Sequence, residues 1–272
     1  MLKEKIGIIG AGKIGSAILR GIIRTGLVGK EQAIASAPRD EVRQALAKET
    51  GVKVTSDNGE VCDFANIVIL TVKPQGVKPI LESVAKRLGK NKLLVSVAAG
   101  VPTSRIESCL EKGARVVRVM TNTPCVIGAA ASAYCPGSHA TQEELVKVEM
   151  ILKSVGIALP LEERHLDAVT GLSGSGPAFV FLFIESLADG GVQVGLSRDA
   201  ALKLALQTVY GSARMALESG KHLGQLRDEV TSPGGTTIAG LYALEKGRMR
   251  GTIMEAVSQA TYRSQALGKE TS

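Results

Sequence analysis

A glycine-rich turn near the start of the chain has the spacing of a phosphate-binding loop. The hexapeptide Gly10-Ala11-Gly12-Lys13-Ile14-Gly15 reads G-x-G-x-x-G and lies between a short apolar run and an amphipathic one. In such a turn the first glycine permits the tight bend, the second lets the backbone approach a pyrophosphate, and the third lets helix and strand pack closely. We expect all six residues to bind a dinucleotide; the alternative is a glycine-rich turn with no ligand.

The end of the next predicted strand indicates which dinucleotide binds. NAD-binding proteins carry an acidic residue there for the ribose 2′-hydroxyl, whereas this strand ends in Ala35-Ser36-Ala37-Pro38-Arg39. A small hydroxyl at Ser36 and a guanidinium at Arg39 suit a 2′-phosphate. The pattern predicts NADP(H), with NAD(H) as a second cofactor. The alternative is that Arg39 only caps a surface helix.

Two further strand ends are expected at the same crevice. Val72-Lys73-Pro74 and Ala98-Ala99-Gly100 each follow an apolar run. Open parallel sheets bind ligands at the carboxyl ends of their strands, so both segments are candidates for cofactor contacts. Small residues in the second would let a nicotinamide ribose lie close to the backbone. Each segment also reads as an ordinary loop between a strand and a helix.

The C-terminal half contains a loop suited to an anion. In Thr231-Ser232-Pro233-Gly234-Gly235-Thr236-Thr237-Ile238, glycines and hydroxyl residues precede a predicted helix. Successive backbone N–H groups there can form a concave anion site, and a carboxylate is an apt guest. The hydroxyls of Ser232, Thr236 and Thr237 are further candidate partners. The alternative is a threonine-capped helix after a Pro-Gly turn.

The remaining chemistry-bearing residues suggest no other kind of site. Three histidines and four cysteines are scattered without metal-binding spacing, so we expect no metal, reduced thiols and a cytoplasmic location. The net charge is +7, but aromatic residues make up only 3% and Trp is absent, which disfavours a nucleic-acid partner. No uninterrupted apolar stretch approaches the roughly 18 residues of a membrane span, so we expect no membrane partner.

Alternating strand and helix patterns must position the N-terminal motifs. The apolar runs at residues 6–9, 33–36, 66–72, 93–97 and 115–119 are separated by longer amphipathic segments. Continuous hydrophobicity is typical of strands covered on both faces of a parallel sheet. We therefore predict a Rossmann-type, doubly wound α/β domain that binds NADP over residues 1–161.

An all-α domain is predicted for residues 162–272, with helices at residues 176–194, 198–218 and 250–267. Residues 178–184 of the first helix are apolar all round, so every side of that helix must be buried. Roughly 110 residues can hardly cover it alone. We infer that a second subunit helps, and that this part of the chain binds substrate and forms a homodimer.

These motifs, together with Arg118-Val119-Met120-Thr121-Asn122-Thr123-Pro124 and Asp167-Ala168-Val169-Thr170, resemble pyrroline-5-carboxylate reductases over essentially the whole chain. That family reduces 1-pyrroline-5-carboxylate to L-proline with NAD(P)H, the last step of proline biosynthesis. Its members pair through interleaved helical domains, often assemble into decamers, and form the active site between the cofactor domain of one subunit and the helical domain of its partner. The resemblance implies cofactor contacts at Ser36, Asn58, Lys73, Pro74 and residues 98–100, and substrate contacts at Glu163, Gly235, Thr236 and Thr237.

The expected chemistry is hydride transfer to a protonated cyclic imine, which needs placement more than a dedicated electrophile. Amides of residues 234–237 would hold the substrate carboxylate, and the Thr237 hydroxyl would hydrogen-bond the ring nitrogen; Thr237 and Ser232 are the candidate catalytic residues. The alternative enzyme is a related two-domain NADP-dependent imine or 3-hydroxyacid reductase. The hydroxyacid enzymes generally need an acid–base lysine, and Lys203 and Lys221 have no distinctive setting. A non-enzymatic alternative is an NADP-sensing or nucleic-acid-binding module.

Overall fold

A computed structural model describes residues 1–270 of the chain. Strands and helices alternate over most of the chain up to residue 160, and the described regular structure beyond it is helical. The strands are β1 (Ile6–Ile9), β2 (Ala33–Ser36), β3 (Lys53–Thr55), β4 (Ile67–Leu70), β5 (Leu93–Ser96), β6 (Arg115–Met120), β7 (Ala130–Pro136) and β8 (Gly156–Pro160). The helices are α1 (Lys13–Arg24), α2 (Asp40–Thr50), α3 (Asn58–Phe64), α4 (Pro74–Leu88), α5 (Thr103–Ser108), α6 (Gln142–Lys153), α7 (Leu166–Val169), α8 (Gly176–Gln193), α9 (Arg198–Ser219), α10 (Leu223–Glu229), α11 (Thr236–Lys246) and α12 (Met249–Glu270).

The strands form one mixed sheet whose first six members are parallel, in the order β3-β2-β1-β4-β5-β6. The order reverses between β1 and β4, which is the switch point of a doubly wound sheet. Every residue of β1, β2, β4 and β5 is buried, which explains their continuous apolar sequences. The Rossmann-type prediction is confirmed, and an antiparallel β7 and a final β8 extend the sheet beyond it.

Alternate residues of the central strands feed two hydrophobic cores. Ile8 and Ile69 belong to one core, whereas Ile9 and Leu70 belong to the other. Neighbouring residues of a strand point to opposite faces, so each face of the sheet is covered by its own layer of helices. This packing fixes the strand ends that carry the candidate cofactor residues.

The described chain divides into two compact units. One contains residues 1–175 together with the chain from Ser258 onward, and the other is Gly176–Val257. Residues 162–175 and the end of α12 therefore group with the sheet. The predicted functional division between residues 161 and 162 remains a prediction.

Helices α8 and α9 pack together around a small core in the second unit, formed by Ile184, Ala188, Ala201 and Ala205. The rest of α8 has little cover: Phe181 is 64% exposed and Leu182 is 65% exposed. The helical run Glu163–Gln193 is long and apolar enough to cross a membrane, with a mean hydropathy of 1.3, although it contains no uninterrupted apolar stretch of that length. An interface between subunits also accounts for such an exposed apolar surface.

Candidate active site

The glycines of the 10–15 turn are required for different reasons. Gly10 has a φ of +94°, and a Cβ there would lie 2.7 Å from Val72 Cγ1. A Cβ on Gly15 would lie 2.7 Å from the Gly10 carbonyl oxygen, so α1 could not approach β1 as it does. Gly12 is different, because its nearest neighbouring atom would be 3.9 Å away. The fold therefore needs the first and third glycines, and the second leaves room for a ligand.

Unpaired backbone donors surround that open space. The first N–H of α1 to find a backbone acceptor belongs to Ser16, so those of Lys13, Ile14 and Gly15 donate to no acceptor within residues 1–270. Gly12 precedes the helix without a side chain that could cap it. Three free amides at the positive end of a helix dipole fit a pyrophosphate.

The end of β2 places Ser36 beside Asn58. The Ser36 hydroxyl donates a 2.6 Å hydrogen bond to Asn58 Oδ1, and the Ser36 carbonyl accepts the N–H groups of Gly10 and Ala11 at 3.1 and 2.8 Å. The structure thus joins Ser36, which the strand end predicted, and Asn58, which only the family resemblance implied, to the glycine turn.

Arg39 lies just after this strand, exposed, and immediately precedes α2. Its side chain caps nothing there, so the helix-capping alternative finds no support. A residue not identified from the sequence, Arg43, holds the loop in place by donating to the carbonyls of Ala37 and Pro38 at 3.0 and 2.8 Å. Arg39 is therefore available to a 2′-phosphate on a loop that Arg43 fixes.

The end of β4 is tied to the same turn. The Thr71 hydroxyl donates a 2.7 Å hydrogen bond to the Gly10 carbonyl, and the Val72 side chain packs against Gly10. Exposed Lys73 then precedes α4, whose first residue is Pro74. The position of Thr71 at a strand end suggests that its hydroxyl makes a hydrogen bond, but the sequence does not identify the Gly10 carbonyl as the acceptor.

The segment after β5 packs tightly. Ala98 is buried, Ala99 is half-buried, and Gly100 has a φ of +74°. A Cβ on Gly100 would lie 3.3 Å from the Ser264 carbonyl oxygen of α12. The structure therefore places small residues where a nicotinamide ribose was predicted to lie, with α12 supporting them.

Glu163 is engaged by its own unit. Its carboxylate accepts the N–H and hydroxyl of Thr103 at 2.7 and 2.6 Å, and Arg118 Nη1 donates to it at 3.2 Å. Burial raises the pKa of Glu163, but the hydrogen bonds from Thr103 and Arg118 outweigh it and leave the pKa lowered. Glu163 thus anchors the start of α5; its contact with substrate remains a prediction.

The loop at residues 231–238 presents a concave set of donors. Gly234 has a φ of +65°, and the Gly235 N–H donates to the Ser232 carbonyl at 3.1 Å. Helix α11 begins at Thr236 with no capping side chain, which is inconsistent with the threonine-capped alternative. The N–H groups of Thr236, Thr237 and Ile238 have no acceptor in the described part of the chain. An anion could accept from all three.

Hydroxyl groups border this donor set. Ser232 and Thr236 are exposed and Thr237 is half-buried. A Cβ on Gly235 would collide with Ser232 Oγ, so the glycine lets Ser232 fold against the turn. The loop can therefore hold a carboxylate through main-chain donors and place a hydroxyl against a neighbouring polar atom. Gly234, Gly235, Thr236, Thr237 and Ser232 come together here, whereas Glu163 belongs to the other unit.

Asn122 connects elements that the sequence did not link. Its side chain donates to the Ser173 carbonyl and accepts the Ala131 N–H, both at 3.0 Å. Ser173 lies in a π-helical turn, Thr170–Gly174, and a Cβ on Gly174 would collide with Met120. Gly174 thus lets this turn pack closely against the end of β6. Within the described residues no cluster of three metal-ligating side chains occurs.

Two family models match the two parts of the chain that carry the glycine turn and the loop at residues 231–238. Residues 5–100 match the family model of NADP oxidoreductases described as coenzyme F420-dependent. Residues 163–267 match the model of the pyrroline-5-carboxylate reductase dimerisation domain.

Full-length relatives carry the same description. The chain is 47% identical to a pyrroline-5-carboxylate reductase of Methanosarcina acetivorans (99% of this chain, 100% of the relative) and 46% identical to one of Arabidopsis thaliana (97% and 96%). The solved structure of a pyrroline-5-carboxylate reductase from Coxiella burnetii superposes with a TM-score of 0.92 at 34% identity (100% and 99%). That of the Plasmodium falciparum enzyme with NADP bound gives a TM-score of 0.88 at 36% identity (98% and 99%).

Proposed function

The chain belongs to the pyrroline-5-carboxylate reductase family, and we propose that it carries out the family's reaction with the turn and the loop described above. It is an NADP(H)-dependent oxidoreductase that reduces 1-pyrroline-5-carboxylate to L-proline, in proline biosynthesis. The observation that carries the assignment of the site is the free donor set at residues 236–238, because the substrate is a small ring bearing one carboxylate.

We propose that the first unit binds the cofactor through residues at the carboxyl ends of its strands. The free amides of residues 13–15 receive the pyrophosphate, and Gly12 lets it approach. Ser36, Asn58 and Arg39 bind the adenosine end with its 2′-phosphate, and Val72, Lys73, Pro74 and residues 98–100 border the nicotinamide end. NADP(H), when bound, supplies the hydride.

The loop at residues 231–238 supplies the substrate half of the mechanism. The free amides of Thr236, Thr237 and Ile238 bind the carboxylate and fix the ring, since three oriented donors leave it little freedom. The Thr237 hydroxyl holds the ring nitrogen, whose protonation makes the imine carbon electrophilic. The C=N bond becomes C–N as the hydride reaches carbon, and the electron pair of the π bond is retained by nitrogen as an amine.

A hydroxyacid reductase is less well supported. Such an enzyme needs a free lysine in the helical part, but Lys203 pairs with Asp199 at 2.8 Å and Lys221 pairs with Glu229 at 2.7 Å. The deciding assay follows NADPH consumption after addition of 1-pyrroline-5-carboxylate, and NADP reduction after addition of 3-hydroxyacids. Turnover of the hydroxyacids alone would refute the proposed function.

The protein forms oligomers through its dimerisation domain, and its substrate is a small molecule. We propose that the dimer forms through the C-terminal helices and assembles further into a decamer, that it binds neither nucleic acid nor membrane, and that it acts in the cytoplasm. The four free cysteines and the exposed apolar face of α8 support this. Light scattering should give a mass ten times 28.4 kDa; a mass twice 28.4 kDa would contradict the decamer.

A further inference from the structure

The last part of α12 lies directly against the segment predicted to hold the nicotinamide. A Cβ on Gly268 would be 2.7 Å from the Gly100 carbonyl oxygen, and a Cβ on Gly100 would be 3.3 Å from the Ser264 carbonyl oxygen. Residues 264 and 268 are four apart, so they face the same side of the helix. Two glycines therefore allow a helix backbone and a loop backbone to touch without an intervening side chain.

A chain of polar contacts holds α12 in this position. The Ser264 hydroxyl, which is buried, donates to Asp167 Oδ1 at 2.8 Å. The same oxygen accepts from Arg118 Nη2 at 3.3 Å, and Arg118 is 4% exposed. Through its other nitrogen Arg118 holds Glu163, whose carboxylate binds Thr103.

These contacts close into a ring. Thr103 follows Gly100 by three residues, so the path that leaves the loop through Glu163, Arg118 and Asp167 returns to it through Ser264. The network centres on the buried Arg118, with Glu163 and Asp167 half-buried, and such a network is rigid when all its members are paired. The loop is thus held by α12 at Gly100 and by Glu163 at Thr103.

We propose that residues 264–268 of α12 position the cofactor loop at residues 98–100 and so set the distance over which the hydride is transferred. Gly268 and Ser264 are positioning residues, because they act through Gly100 and touch no reactant. The proposal rests on the proposed cofactor role of residues 98–100. It predicts that moving α12 outward misplaces the nicotinamide while leaving the glycine turn at residues 10–15 unchanged.

Gly268→Ala is the direct test. A methyl group 2.7 Å from a carbonyl oxygen forces the two backbones apart by about 0.7 Å, to the 3.4 Å at which ordinary contact begins. Since about 1 Å of misplacement costs about 100-fold, we expect kcat/KM to fall about tenfold or more. The matched control is Gly251→Ala in the same helix, where nothing lies within 4 Å and kcat/KM should stay within about twofold.

The readouts separate positioning from general damage. Rates are measured with NADPH and with NADPH deuterated at the transferred position, alongside thermal melting. We expect Gly268→Ala to lower kcat more than it raises KM for NADPH, with a larger isotope effect. A loss no greater than that of Gly251→Ala, or one matched by the fraction of unfolded protein, would overturn the proposal.

Ser264→Ala decides the question if Gly268→Ala does not fold. It deletes one hydrogen bond of the ring and should reduce kcat/KM about threefold or more, with the same rise in isotope effect. An unchanged rate would overturn the proposal. Wild-type turnover is measured first: its absence would defeat the proposed function and this inference together, whereas an active wild type with insensitive variants would defeat only the inference.

Discussion

Thr237 occupies the second position of α11, half-buried, and its hydroxyl makes no hydrogen bond to any described residue. Replacing it with alanine therefore removes no side-chain hydrogen bond from the free protein. Surface substitutions away from specific contacts change stability by about 0.5 kcal/mol at most, and alanine is a slightly better helix former than threonine. We expect the melting temperature of Thr237→Ala to match that of the wild type.

The effect on catalysis should be large, because the same hydroxyl is assigned to the substrate ring nitrogen. Removing one positioned polar contact to a transition state costs about 2–4 kcal/mol. That corresponds to a fall in kcat/KM of between about 30-fold and about 1,000-fold. Initial rates of NADPH consumption at varied 1-pyrroline-5-carboxylate measure this, and NADPH affinity, measured by fluorescence titration, should be nearly unchanged.

Two variants control the interpretation of Thr237→Ala. Thr237→Ser keeps the hydroxyl and should keep most of the activity, whereas Thr208→Ala removes an exposed threonine of α9 and should behave like the wild type. A rate for Thr237→Ala within tenfold of the wild type would refute the assigned role. A parallel loss of NADPH affinity would show instead that the substitution disturbs the cofactor half.

Other perturbations test the cofactor turn, its specificity and the Glu163 anchor. Arg39→Asp should erode the preference for NADPH over NADH, measured as the ratio of kcat/KM values; an unchanged ratio would defeat the 2′-phosphate assignment. Gly15→Ala should destabilise the protein by about 1–3 kcal/mol, because its Cβ would lie 2.7 Å from the Gly10 carbonyl. Gly12→Ala should leave the melting temperature unchanged and weaken NADPH binding by about tenfold or more, since only the ligand approaches that position; equal effects of the two glycine variants would contradict this. The lowered pKa of Glu163 stabilises the fold above 4.5, and that stability is lost as the pH falls from 4.5 through the folded value. Melting of Glu163→Gln should therefore depend less on pH in that range, and identical acid limbs would count against the anchor.

The central sheet could be predicted because each of its strands has a recognisable local sequence pattern. The residues of β1 and β4 are apolar without interruption, and buried parallel strands have that composition. By contrast β3 has exposed Lys53 as its first residue and exists only through its pairing with β2. Strand β7 is rich in small residues, so its antiparallel place beside β6 left no signal in the sequence.

The candidate site divides in the same way. The glycine turn follows from spacing alone, because its residues act through their own backbone. Ser36 and Asn58 meet across 22 positions, and Thr103 and Glu163 meet across 60. No local pattern specifies such contacts, so Asn58 and Glu163 were implied only by the family resemblance, and the contacts of Arg43 and Asn122 were not predicted.

Phe181 and Leu182 turn their side chains to water in the single chain. A subunit on its own thus exposes apolar side chains. If another copy covers them, as proposed above, folding and association share one equilibrium. The melting temperature should then rise with protein concentration. In a cell that makes little of this protein, the chain would be exposed to proteases and aggregation before it associated with a second subunit.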